Sequence, residues 1–181
     1  MFPGVDEDLK GFLFQGAPQE HCAWMGDIFS LTENAQELVP VRFGLQDFLV
    51  GFTSPQHEAA NDPELLLTYL AGYADGFVPD PCSRLVKFAR VESDQTNHYQ
   101  PDVWKLSVPE QVYQFSQTLG LAVASHSEGL PECQQYFFWA ASASLEKLYK
   151  RTFRYIDHAC LPGEFKPILA STGVLNGYQR T

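Results

Sequence analysis

The sequence predicts an α+β domain, a mixed or antiparallel sheet with several packed helices, forming a single compact domain over residues 1–181. Three observations carry that expectation. SRLVKFARVES alternates its side chains with the two-residue period of a strand, and QQYFFWAAS is a short aromatic run of strand length. LEKLYKRTFRYIDHAC, by contrast, repeats its apolar residues at the helical period. The order of the two kinds of segment mixes hairpins with separated helices and shows no regular strand–helix–strand repeat.

Taken in order, VDEDLKGFLF places Val5, Leu9, Phe12 and Leu13 at helical spacing with Asp6, Glu7 and Asp8 in the first turn, which predicts a short N-terminal helix. CAWMGDIFSL reads as a buried strand that Gly26 and Asp27 interrupt, at a bulge or a hairpin. SLTE has the residues of a capping box and predicts a short helix ending near Leu38. VPVRFGL is a strand, LQDFLVGF a helical turn or two, and TSPQHEAAND a polar loop.

NDPELLLTYLAGYADG has the clearest helix start, with Asp62 as N-cap and Pro63 at the first helical position. GFVPDPCS marks a seam between two lobes near 76–83. Beyond it, SRLVKFARVES and DVWKLSV are predicted strands. S-V-P-E caps a helix carrying Val112, Phe115 and Leu119. GLAVASH and QQYFFWAAS are predicted strands joined by the turn SEGLPE. A long helix follows from Leu145 to Cys160, then an irregular tail.

Composition excludes several classes of function. Net charge is −10, so a phosphate-binding surface as the main business of the chain is disfavoured, and no nucleic-acid partner is expected. No apolar run is long enough to span a bilayer, and the acidic start MFPGVDEDLK lacks the features of a secretory signal, which predicts a cytoplasmic protein with no membrane partner. Cys22, Cys82, Cys133 and Cys160 show no metal-ligand spacing and read as reduced, mainly buried thiols.

Local signatures of catalysis are equally sparse. His158 and Cys160 would lie about 200° apart around a helix, too far to share one ion. SHSEG holds serine, histidine and glutamate but lacks the pattern of a nucleophile elbow. Neither a dinucleotide fingerprint nor a P-loop occurs. No catalytic residue, metal ligand or cofactor is assigned, and the chain reads as non-enzymatic. Its alternatives are a small enzyme whose His, Cys and carboxylate groups meet only in the fold, and an assembly subunit of a larger complex.

Charge is the informative property. Residues 1–83 hold 13 acids against two bases, a net −11, whereas residues 84–181 hold 9 acids against 10 bases. Projected at 100° per residue, the helix from Leu145 puts Leu148, Tyr149, Thr152 and Ile156 on one face. Lys147, Lys150, Arg151 and Arg154 fall in a stripe opposite. These four, with the acidic Asp6, Glu7, Asp8, Glu58, Asp62 and Glu64, are the candidate partner-binding residues. The expectation is an acidic protein-binding domain, an inhibitor, immunity protein or dedicated chaperone for a basic effector, or a chain that associates with itself.

Overall fold

The computed structural model describes residues 7–19, 23–31, 36–61, 80–92, 106, 109–139, 143–158, 165–168 and 175–181. The described chain is broadly α+β: a mixed sheet of eight strands with four helices. In order these are α1 (Glu7–Leu13), β1 (Ala23–Met25), β2 (Phe29–Leu31), β3 (Gln36–Phe43), β4 (Gln46–Thr53), α2 (Pro55–Asn61), β5 (Arg84–Arg90), α3 (Pro109–Gly129), β6 (Gln135–Trp139), α4 (Ala143–His158), β7 (Phe165–Ile168) and β8 (Leu175–Arg180). The sheet runs β1-β3-β4-β5-β6-β8-β7, with β2 also on β3. Pairing of β4 with β5 joins the acidic and basic halves in one ladder. Of the predicted seam, residues 76–79 lie outside the described residues, and Asp80–Ser83 form a turn in which the Ser83 N–H donates to the Asp80 carbonyl at 2.9 Å.

Strand alternation divides the sheet into two faces. One carries Val39, Val41 and Phe43 of β3, Phe48, Val50 and Phe52 of β4, Val86 and Phe88 of β5, and Tyr136 and Phe138 of β6. α3 covers this face with Phe115, Leu119, Ala122 and Val123, and α4 with Leu145, Leu148 and Tyr149. On the opposite face Leu38 and Leu49 meet Leu13 and Phe14 at the end of α1. There Arg42 donates to both oxygens of Asp47, directly across the hairpin, at 2.6 and 3.0 Å. Its guanidinium also lies over the Phe14 ring and so ties α1 to the sheet. α2 is held to the same face by Lys87, whose Nζ donates to Glu58 at 2.6 Å.

Several predicted elements change type. LQDFLVGF is strand β4, joined to β3 by the two-residue turn Gly44–Leu45, with Gly44 at φ 60°. An apolar run buried on both faces has no period that separates strand from helix, and the turn glycine decides it. The capping box SLTE gives no described helix: Ser30 and Leu31 belong to β2, Leu38 lies in β3, and Thr32 to Ala35 lie outside the described residues. TSPQHEAAND contains α2, entered through Ser54 and Pro55, with the Glu58 N–H donating to the Ser54 carbonyl. GLAVASH is helical, since α3 runs unbroken for 21 residues. Burial of Phe115, Leu119, Ala122, Val123 and His126 along it keeps one helical stripe against the sheet.

The tail holds two strands, and in α1 Phe12 points outward at 59 % exposure while Phe14 takes its place in the core. The predicted interruption at Gly26 is real, but β1 and β2 are half-exposed edge strands and not buried ones. Met25 faces Val41 and Phe29 faces Leu38, so this edge carries one residue more than β3 does. SRLVKFARVES and QQYFFWAAS are strands β5 and β6, as read. The helix predicted from Asp62 and the strand DVWKLSV, apart from Leu106, lie outside the described residues.

β8 sits between β6 and β7 and carries Gly177 opposite Phe137. A Cβ on Gly177 would lie 2.8 Å from the Phe137 ring and 3.3 Å from Ile168, and Phe137 is fully buried. Gly177→Ala is therefore expected to lower the unfolding free energy by about 1–3 kcal/mol through overpacking. Leu45→Ser, at a turn side chain 77 % exposed, should leave it unchanged within about 0.5 kcal/mol. Urea denaturation of the two variants beside the parent chain checks both.

Candidate functional site

β5 and β6 form the one parallel pair among the described strands. Their ladder spans three positions, Arg84 to Val86 against Tyr136 to Phe138, whereas β5 stays paired with β4 as far as Arg90. The described β5–β6 ladder thus ends at Val86 and Phe138, before β5 does. α3 connects them and runs antiparallel to β5. Phe115, near its start, packs on Phe43, Phe48 and Phe88. His126, near its end, stacks on Phe52 and reaches Tyr136. The helix N-terminus therefore lies towards the Arg90 end of β5, and Val86, where the parallel ladder stops, is level with Phe52 and His126.

That end is lined with rings. Tyr149 of α4 packs on Phe138 at 4.7 Å and on Phe88 at 6.1 Å, and Phe88 meets Phe115 at 4.9 Å. α4 begins close to the end of β6, so both long helices start here. The amino end of α3 brings the positive end of a helix dipole, and Arg90 brings a guanidinium that pairs with Glu92 at 3.2 Å. In parallel α/β sheets ligands bind outside the carboxyl ends of the strands, and β5 with β6 is the one pair of that kind among the described strands.

At the opposite end of the same face the fold assembles a buried polar chain from four elements. Arg84 of β5 donates through Nε and Nη2 to the two oxygens of Glu37 of β3 at 3.0 and 3.2 Å. His126 of α3 sets Nε2 at 3.4 Å from Glu37 and Nδ1 at 2.9 Å from the Tyr136 hydroxyl of β6. A carboxylate takes a proton donor, so Nε2 carries the hydrogen and Tyr136 donates to Nδ1. Phe52 stacks on the imidazole at 4.0 Å.

Burial sets the chemistry of these groups. It lowers the His126 pKa against the raising effect of Glu37, so the ring is neutral near pH 7. For Glu37 burial pushes upward, but hydrogen bonds from His126 and Arg84 and the Arg84 charge together hold the carboxyl below 4.5. Burial drives the Tyr136 phenol up and the Cys133 thiol to about 11. Cys133 is thus protonated and closed from water. The chain meets the residue types of a nucleophilic relay, yet His126, Cys133 and Tyr136 are all fully buried. What it does is hold four elements together.

The fold thus brings His126 and Cys133 within one cluster with Glu37, Arg84 and Tyr136, which the sequence reading left unassigned. A signal for two of them existed: Glu37 and Arg84 occupy positions in register with the apolar residues of β3 and β5, where an unpaired charge would be costly.

The predicted partner-binding residues do not converge. Asp6, Asp62 and Glu64 lie outside the described residues. Glu7 and Asp8 are exposed at the start of α1, and Glu58 is paired with Lys87, both on the face away from α4. Lys147, Lys150, Arg151 and Arg154 are exposed on α4, with Lys150 paired to Glu146 of its own helix at 2.5 Å. Docking of the basic stripe on Glu7, Asp8 or Glu58 of the same chain is ruled out by the intervening sheet. Among the described residues no group of His, Cys, Asp and Glu could hold a metal ion, and no helix is long and apolar enough to cross a membrane.

Both buried acid–base groups make stability fall on acidification. The unfolded chain takes up a proton on His126 as pH drops through 6.5 while the folded chain resists, and the same holds for Glu37 below 4.5. Unfolding free energy should decline from pH 7 towards pH 5, and His126→Phe should flatten that part of the profile while lowering its plateau. A variant as steep as the parent would place the transition elsewhere. Compared with protein-family models, with curated proteins and with solved structures, the chain matches none.

Proposed function

We propose that the domain binds an elongated ligand carrying an acyl thioester on a pantetheine arm, as in an acyl-coenzyme A, and transfers the acyl group to an amine or hydroxyl acceptor. The observation that carries this reading is the end of the parallel β5–β6 ladder at Val86 and Phe138, from which β5 runs on towards the end of the sheet where α3 begins. Three parts of one ligand suit three parts of that site. Phosphate suits a helix N-terminus. An arm with amides suits the flank of a strand, along Lys87 to Ala89 where β5 runs on past β6. An acyl or thiol end suits the partly exposed ring of Phe88. A free nucleotide has no equivalent of the second part, and a fatty acid none of the first.

In the transfer, the acceptor nitrogen or oxygen attacks the thioester carbonyl, the carbon–sulfur bond breaks, and the sulfur leaves as thiolate. The acceptor's proton goes to a base or to water, and the thiolate takes one from an acid. Tyr149 is not assigned as that acid, since it is buried against Phe88 and Phe138 as Tyr136 is buried in the polar cluster. Titration calorimetry with acetyl-coenzyme A should show saturable one-to-one binding. Absence of binding up to millimolar ligand would overturn the reading.

A second reading retains the acidic protein-binding domain, as inhibitor, immunity protein or chaperone of a basic effector. Glu7 and Asp8 favour it, exposed beside Phe12, whose ring is exposed and touches Phe29 at 5.5 Å. An exposed ring on the same short helix as two exposed acids suits recognition of a basic surface. A basic protein that co-purifies with the chain should be lost from Glu7→Lys/Asp8→Lys and from Phe12→Ser. Retention by both variants would exclude this patch as its binding site.

A further inference from the structure

Among the described residues, the buried apolar side chains fall into two groups that share no member. One is the main core between the sheet and the two long helices, with Val39, Val50, Phe115 and Phe138 in it. The other is Leu13, Phe14, Leu38 and Leu49 on the opposite face, with Leu9, Trp24, Phe29 and Leu31 half-buried around them. α1 takes part in the second group alone, and chiefly by its carboxyl end: Glu7, Asp8, Gly11 and Phe12 are exposed, whereas Leu13 and Phe14 are buried. Gly16, at φ 79°, then turns the chain towards Ala17 and Pro18. Arg42 shows which side of this contact is the firmer. Its Nε and Nη2 donate to Asp47 within the hairpin at 2.6 and 3.0 Å, but its Nη1 reaches the Ala17 and Pro18 carbonyls only at 3.3 and 3.4 Å. The Phe14 ring centre is 5.4 Å from the guanidinium carbon. Short bonds between opposite charges outlast long ones to neutral carbonyls, so Arg42 stays with the hairpin when the carbonyls and the ring leave it.

We infer that residues 7–19 form a strap closed over the second face of the sheet, which opens as one unit while the β3–β4 hairpin and the main core stay folded. Closed, it covers Leu38 and Leu49 with Leu13 and Phe14. Open, it bares those two leucines and leaves Arg42 paired with Asp47, with water in place of the two carbonyls at Nη1. A helix of seven residues does not hold itself together in water, so α1 is ordered by the sheet that it covers and loses its helix on leaving. The main core contributes nothing to the strap's contacts among the described residues, and so it loses nothing when the strap lifts. Glu7, Asp8 and Phe12 ride on the same piece, which couples recognition at those side chains to the covering of Leu38 and Leu49. The strap itself depends on neither functional reading.

Native-state hydrogen exchange of the full chain, followed by NMR over a series of low urea concentrations, tests this. The reporters are the Phe14 N–H, bonded to the Lys10 carbonyl at 3.0 Å, and the Ala17 N–H, bonded to the Phe14 carbonyl at 3.1 Å. Both are expected to exchange about tenfold or more faster than the amides of the β3–β4 ladder, at matching protection and with little dependence on urea, because opening the strap exposes little surface. Exchange of both at the rate and urea dependence of the ladder would mean that the strap leaves only when the whole domain unfolds, and would overturn the inference. A staggered profile, with Ala17 exchanging freely and Phe14 only with the ladder, would overturn it as well, since the piece would not move as a unit. Phe14→Ser supplies a second measurement: it should keep a single cooperative urea transition and the parent's far-ultraviolet circular dichroism apart from the loss of one short helix, while binding more anilinonaphthalene sulfonate than the parent. Loss of the cooperative transition in this variant would show that the second face is part of the core and would overturn the strap.

Discussion

Four elements of this fold meet at one carboxylate. Glu37 sits among the apolar side chains of its face of the sheet, where an unmatched charge would cost several kcal/mol, on the order of the stability of a whole domain. Arg84 and His126 meet that charge, and Tyr136 completes the hydrogen bonding of His126. Each partner comes from a different element, so the satisfied state exists only when β3, β5, α3 and β6 are all in place. That condition fixes the rotation of α3 about its axis and the alignment of β5 with β6. Those two quantities set where the parallel ladder ends and what lies above it.

The same arrangement separates two kinds of polar site. Where the chain closes the sheet, acid–base groups are numerous, buried and mutually satisfied, which suits them to specifying geometry. At the other end of α3 and β5 the fold offers few ionisable groups but many rings, a helix N-terminus and a strand that outruns its neighbour. The richest cluster of histidine, cysteine and carboxylate is thus buried structure. Cys133 shows why: a thiol held protonated by burial is unreactive however well it is placed.

Much of this was legible in the chain, and what was not has physical causes. Strand β5 and helix α4 could be read because one face of each is apolar and the other polar, so period and burial agree. β4 could not, because Phe48, Leu49, Val50 and Phe52 are buried on both faces and a doubly buried run has no contrast to read. GLAVASH misleads in a related way. Leu121 is apolar yet 42 % exposed, so the apolar pattern of the segment does not follow the burial stripe of Ala122, Val123 and His126. β8 was hidden by Asn176 and Gly177, ordinary turn residues, one of which is demanded here by the ring of Phe137 across the ladder. Of the site, the basic stripe was visible because it depends on one helix alone. The end of the parallel ladder was not, since it depends on register between segments about fifty residues apart.

The placing of β8 between β6 and β7 has a consequence for the order of events in folding. β7 precedes β8 in the chain yet occupies the outer edge, so it has no ladder to join until β8 has been laid against β6. During synthesis β6 must wait with one edge open until Leu175–Arg180 emerges, and Tyr136 and Phe138 wait with it. Such a sheet closes late and all at once, and its unfinished form exposes a sticky, aromatic-rich edge. The chain is then most vulnerable to aggregation just before β8 is made.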